Sequence, residues 1–82
     1  MAKVVLQAEV ARDFADGQAD IEIMADDVRQ LIKQLEGIYP GIGDRLRNRT
    51  AVAIDGEIFQ DPLLQPIQEN SEVYFLPMIE GG

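Results

Sequence analysis

Asp26-Asp27-Val28-Arg29-Gln30-Leu31-Ile32-Lys33-Gln34-Leu35-Glu36-Gly37-Ile38-Tyr39-Pro40-Gly41 is the stretch on which the architecture turns. Val28, Leu31, Ile32, Leu35, Ile38 and Tyr39 recur at helical spacing and form one apolar stripe. Arg29, Gln30, Lys33, Gln34 and Glu36 fill the opposite side. Asp26 is a natural N-cap, and Asp27 adds a negative charge in the first turn, where the helix dipole favours it. Gly37 weakens the last turn, and Pro40, which disfavours helical geometry at Tyr39, stops the helix together with Gly41. A helix with one apolar stripe needs a surface to cover, and the flanking sequence supplies a sheet.

Upstream, Lys3 to Val10 reads as a strand, with Val4, Leu6, Ala8 and Val10 alternating against Lys3, Gln7 and Glu9. Asp16-Gly17 supplies a turn within a loop from Ala11 to Gln18. A second strand follows near Ala19 to Met24, with Ile21 and Ile23 on one face and Asp20 and Glu22 on the other. Downstream, Ala51 to Ile54 is a short strand, Asp55-Gly56 a two-residue hairpin turn, and Glu57 to Phe59 the return. Pro62 and Pro66 bracket Leu63 and Leu64 in an irregular segment, and Glu69-Asn70-Ser71 turns into a last strand, Glu72 to Leu76. The order β-β-α-β-β-β predicts an α+β fold, a mixed sheet of about five strands with one main helix on one face. Residues 1–76 are expected to form the domain and residues 77–82 a flexible tail.

Eighty-two residues make one small domain, which buries only about 60% of the surface its unfolded chain exposes. A hydrophobic content of 46% suits a globular chain. There is no cysteine and no histidine, so a thiolate nucleophile, a zinc–thiolate site and the usual general base are all missing. An autonomous enzyme is not expected, nor a metal site. With 15 acidic against 7 basic residues the formal charge is −8. Nucleic acid and anionic membranes are poor partners for such a chain, because binding them relies on neutralising phosphates. A protein with a basic docking face fits better. No basic segment runs into an apolar one at the N-terminus, and no apolar run approaches the roughly 20 residues of a membrane span, so a cytosolic protein is expected.

Three constellations could carry chemistry. Asp26 and Asp27 form a carboxylate pair, but the helix start accounts for both. Arg45, Arg47 and Arg49 alternate, which in an extended segment puts them on one side as a basic patch or a solvated connection. Gly41-Ile42-Gly43 lacks the Lys-Ser/Thr sequel of a phosphate-binding loop and reads as the helix exit. The specific signal is Pro77-Met78-Ile79-Glu80-Gly81-Gly82. Two glycines give the slimmest and most permissive chain available. They suit a tail that threads a narrow channel and offers the α-carboxylate of Gly82 for reaction. A carboxylate is a poor electrophile, so it must first be activated, most simply as an acyl-adenylate.

Ala53-Ile54-Asp55-Gly56-Glu57, Glu69-Asn70-Ser71-Glu72-Val73 and Phe75-Leu76-Pro77-Met78-Ile79-Glu80-Gly81-Gly82 together resemble the second half of the ubiquitin-like sulfur carriers, closest to the small subunit of molybdopterin synthase. Tyr39-Pro40-Gly41-Ile42 is similar to that family's helix exit. The family's aromatic-Ala pair is missing near Leu6 to Arg12, and Met78 stands where a second proline is common. The resemblance implies a β-grasp fold and a carrier that binds no cofactor of its own. A ubiquitin-activating-like adenylyltransferase would use ATP to adenylate Gly82, and a persulfide sulfur would convert it to a thiocarboxylate. The acceptor would be the large subunit of molybdopterin synthase, or an equivalent enzyme in thiamine, cysteine or another pathway. A ubiquitin-like protein modifier and a non-covalent interaction domain remain alternatives. Phe75, Met78 and Ile79 are the candidate docking contacts beside the tail, with Phe75 equally suited to the core.

Overall fold

The computed structural model describes residues 1–48, 50–59 and 62–77. Its elements are β1 (Ala2–Val5), α1 (Ala8–Phe14), β2 (Asp20–Ile23), α2 (Val28–Ile38), α3 (Ile42–Arg47), β3 (Thr50–Ile54), β4 (Glu57–Phe59) and β5 (Glu72–Pro77). The strands form a mixed sheet in the order β2-β1-β5-β3-β4. β5 lies in the middle, parallel to β1 and antiparallel to β3. The expected five strands are all present, and the expected main helix is α2.

Val28, Leu31, Ile32 and Leu35 of α2 are buried. They meet Val4, Val52, Val73 and Phe75 from the helix-facing side of the sheet in one core. Burying an aliphatic side chain of this size contributes about 1.5–3 kcal/mol, so this helix is the largest single contributor on its side of the sheet. Its N-cap is Asp27 rather than the expected Asp26: Asp27 Oδ1 accepts the Gln30 N–H at 2.8 Å. Gln30 Oε1 reaches back to accept the Asp26 N–H at 3.2 Å. Asp26 is held elsewhere, since its carbonyl accepts the Ile67 N–H at 2.9 Å beside the bridge between Asp27 and Pro66. The N–H groups of Val28 and Arg29, left free by the first turn, donate to the carbonyls of Gln65 and Leu63. The proline-bracketed loop thus closes the top of the helix.

Two expected elements also differ. The opening strand ends at Val5 rather than Val10, and Ala8–Phe14 is helical. Alternation of Leu6, Ala8 and Val10 suggested a strand, yet Val10, Ala11 and Phe14 also share a helical face. Burial of Val10 and Ala11 against the sheet decides for the helix. The second difference is α3, where a connection and an extended arginine segment were expected. Gly41 turns the chain with φ +99°, and Ile42 and Leu46, four apart, are both buried. A Cβ on Gly41 would also stand 3.2 Å from the Phe14 ring. Glu36, the one acidic residue of α2, fastens the new helix: its Oε2 accepts the Gly41 N–H and its Oε1 the Gly43 N–H, both at 2.8 Å.

The Asp55-Gly56 turn is as expected, with φ of +49° and +89°, a pair of left-handed residues that matches the twist of the β3–β4 hairpin. Asp55 also binds the start of β5. Its Oδ1 accepts the Glu72 N–H, and its Oδ2 accepts the hydroxyl of Ser71, each at 2.9 Å. Ser71 Oγ in turn accepts the Gln68 N–H at 2.9 Å. The buried serine therefore has both its donor and its acceptor capacity used.

Candidate functional site

The segment expected to carry the chemistry follows β5 in the sequence, and β5 is paired on both sides in the sheet. Over Lys3–Val5 and Glu72–Tyr74 it pairs with β1, and from Val73 to Pro77 with β3. Its last described pair is Thr50↔Pro77. Pro77 has no N–H to donate to that ladder. Thr50 is buried, and its hydroxyl donates to the carbonyl of Arg45 or Asn48 at 3.3 and 3.1 Å. The C-terminal end of α3 and the exit of β5 are thereby held at one end of the molecule. Met78, Ile79, Gly81 and Gly82 lie outside the described residues.

Phe75 is 1% exposed and belongs to the core. Strand periodicity explains why: Val73 and Phe75 point to the helices, so Glu72, Tyr74 and Leu76 point the other way. Phe75 is therefore a core residue and not an exposed docking contact, and its neighbours Tyr74 and Leu76 lie on the opposite face of the strand. The two were not singled out in the sequence, although alternation along Glu72 to Leu76 carries the signal.

The other sequence candidates separate. Asp27 caps α2 and Asp26 is tied into the loop contact, which leaves neither converging on a shared ligand. Among the described residues no group of acidic side chains could hold a metal ion. Arg45 and Arg47 stand on α3, where two positions apart point to nearly opposite sides, so the expected one-sided patch does not form. Arg45 reaches Glu9 at 4.0 Å across a largely exposed pair, worth little in water. Arg49 lies outside the described residues. Glu36 has its carboxyl held below the ordinary glutamate value by the Gly41 and Gly43 N–H groups, with a smaller contribution from Arg47, against a desolvation effect of opposite sign. This is a structural staple. No helix among the described residues is long and apolar enough to cross a membrane.

A mixed five-stranded sheet closed over one principal helix, with the chain's two terminal glycines following its central strand, defines a β-grasp protein of the ubiquitin-like class. The model of the ThiS family matches residues 7–82, and the chain belongs to that family of ubiquitin-like sulfur carriers. Solved structures agree on the fold. CysO of Mycobacterium tuberculosis, described as an antigen, matches with a TM-score of 0.85 at 21% identity, over 96% of this chain and 100% of that one. A chain of the BexX/CysO complex of Amycolatopsis orientalis matches at 0.84 and 21% identity over 100% of both chains. SAMP1 from Haloferax volcanii matches at 0.71 and 19% identity, over 99% of this chain and 98% of that one. No curated protein matches.

Proposed function

We propose that this chain carries sulfur as a thiocarboxylate on Gly82 and works as a co-substrate of larger enzymes. The observation that carries the proposal is the family match through residue 82, which ends on Gly81-Gly82 beyond a strand paired on both sides. An ATP-dependent adenylyltransferase joins AMP to the Gly82 carboxylate with release of pyrophosphate. A persulfide sulfur then attacks the acyl carbon, AMP leaves, and a thiol reductant cleaves the acyl disulfide to the thiocarboxylate. The chain has neither Cys nor His, and the proton transfers fall to the partner enzyme. The cycle draws on cellular ATP and is placed in the cytosol.

For the acceptor, the resemblance of Phe75 to Gly82 to molybdopterin synthase small subunits supports delivery to a pterin precursor on the large synthase subunit. A second reading, delivery into cysteine synthesis, is favoured by the likeness to two CysO structures. Intact-mass spectrometry after incubation with ATP, the activating enzyme and a sulfur donor tests the carrier step. Exchange of one oxygen for sulfur on Gly82 is expected; protein conjugates in its place would make the chain a modifier. Consumption of the thiocarboxylate by the molybdopterin synthase large subunit, or by a cysteine-forming enzyme, then decides the acceptor.

A further inference from the structure

The dipeptide Asp-Gly occurs twice, at Asp16-Gly17 and Asp55-Gly56. The backbone is nearly the same at both: φ is +52° and +87° at the first pair, +49° and +89° at the second. All four residues are exposed. An aspartate followed by glycine can close on itself, because glycine has no Cβ to keep its nitrogen away from the aspartyl side chain. The two pairs share one latent reaction, and their surroundings decide whether it runs.

In that reaction the backbone nitrogen of the glycine attacks Cγ of the aspartic acid. A C–N bond forms, and the amide hydrogen leaves with the carboxyl hydroxyl as water. Water then opens the cyclic imide at either carbonyl. Opening at the side-chain carbonyl restores aspartate. Opening at the main-chain carbonyl leaves isoaspartate, with the main chain routed through Cβ and Cγ. Water is the only co-reactant, lost in the first step and regained in the second.

Asp55 is held away from this reaction. Its Oδ1 accepts the Glu72 N–H and its Oδ2 the Ser71 hydroxyl, each at 2.9 Å, which turns the carboxylate toward the start of β5. Ser71 is itself buried and accepts the Gln68 N–H, so the clamp does not open without loosening that strand. The Gly56 nitrogen has no backbone partner among the described residues, and the protection of this pair rests on the clamp. Asp16 has no such hold. Arg12 pairs with Asp13, and the Gln18 amide donates to the carbonyl of Asp20. Among the described residues no hydrogen bond or ion pair reaches the Asp16 carboxylate. What restrains this pair is the nitrogen: the Gly17 N–H donates to the Ala11 carbonyl at 2.8 Å, and it shares that acceptor with the Ala15 N–H. This bond closes the end of α1, a helix of only seven residues. Helix ends fray at little cost, whereas two hydrogen bonds to a carboxylate must be lost at Asp55.

We infer that Asp16-Gly17 is a site of spontaneous isoaspartate formation in the folded protein, and that the Ser71–Asp55–Glu72 clamp locks the second pair against it. The extra main-chain atom falls between Ala15 and Ala19, ahead of β2, so the sheet is not displaced. The product displays an α-carboxylate on an exposed turn. That is the substrate class of carboxyl methyltransferases that use S-adenosylmethionine.

The test stores the full-length chain for weeks at neutral pH and physiological temperature, folded or in concentrated urea. Peptide mapping by electron-transfer fragmentation then distinguishes isoaspartate from aspartate at equal mass. In urea the two pairs should isomerise at similar rates. In the folded chain, isoaspartate at position 16 should exceed that at position 55 by roughly tenfold or more. Ser71→Ala, which removes one arm of the clamp, should raise isoaspartate at position 55 by about tenfold and leave position 16 unchanged. If Ser71→Ala does not fold, the wild-type ratio of the two positions decides alone. Equal isoaspartate at the two positions of the folded chain, an excess at position 55, or none at position 16 once both have reacted in urea overturns the inference. So does an equal rise at both positions in Ser71→Ala, which would trace the protection to the stability of the whole domain.

Discussion

The two faces of this one sheet are built from alternate residues of the same strands, yet they do different work. On β5, Val73 and Phe75 turn inward and close the core under α2, while Tyr74 and Leu76 turn to the opposite face, which no helix among the described residues covers. On β3, Val52 and Ile54 belong to the core and Ala51 and Ala53 to the open side. One face holds the fold together; the other carries the exposed side chains of Tyr74 and Ile58. Because the side-chain period of a strand is two, a single position separates a residue packed in the core from one on the opposite face.

The comparison is broken most directly at the tail. Extending the chain beyond Gly82 with an uncleavable tag should abolish thiocarboxylation in the mass assay while leaving the unfolding midpoint unchanged. A tagged chain that still accepts sulfur would show that reactivity does not depend on a free glycine end. The next largest effect is on the inner face. Phe75→Ala should cost about 3–5 kcal/mol in denaturant unfolding, as expected for an emptied aromatic site in a packed core. Tyr74→Ala, one residue away on the outer face, should change stability by about 1 kcal/mol or less. Equal losses at the two positions would mean that the open face is not open.

Smaller effects sharpen the picture. Ser71→Ala removes a buried hydroxyl that joins Gln68, Asp55 and the start of β5, and should cost about 1–3 kcal/mol by chemical denaturation. Glu36→Gln weakens the staple between α2 and α3. The folded-state pKa of Glu36 lies below its ordinary value of 4.5, so its contribution is complete above that pH and fades as pH falls through the lower folded value. The wild-type midpoint should therefore exceed that of Glu36→Gln at neutral pH, and the gap should narrow in acid below pH 4.5. A gap that persists or widens there would rule out the carboxylate as its source.

Much of this was legible along the chain, and the failures have a common cause. The α2 stripe, the Asp55-Gly56 turn and the alternation of Glu72 to Leu76 are strong local signals that tertiary structure did not override. Leu6 to Val10 and Gly41 to Arg47 are short, and their apolar residues fit a strand or a helix equally well. For these, burial against neighbours decided: Val10 and Ala11 beneath α1, Ile42 and Leu46 beneath α3. The role of Glu36 was hidden for a related reason, since its two partners lie five and seven residues away across a turn. Phe75 shows the limit at a single residue. Its aromatic bulk beside the tail suited either docking or core, and nothing local says which face of a strand will be covered.

The sequence by itself determined the composition that rules out thiol and imidazole chemistry, the one long amphipathic helix, and the glycine pair that follows the last strand. Those properties depend on residue type and short-range spacing. Only the tertiary structure decided that β5 lies at the centre of the sheet, that Tyr74, Ala53 and Ile58 fall in one row, and that Phe75 is inside. Register and strand order arise from pairing residues far apart in the chain, and no local pattern encodes which partners meet.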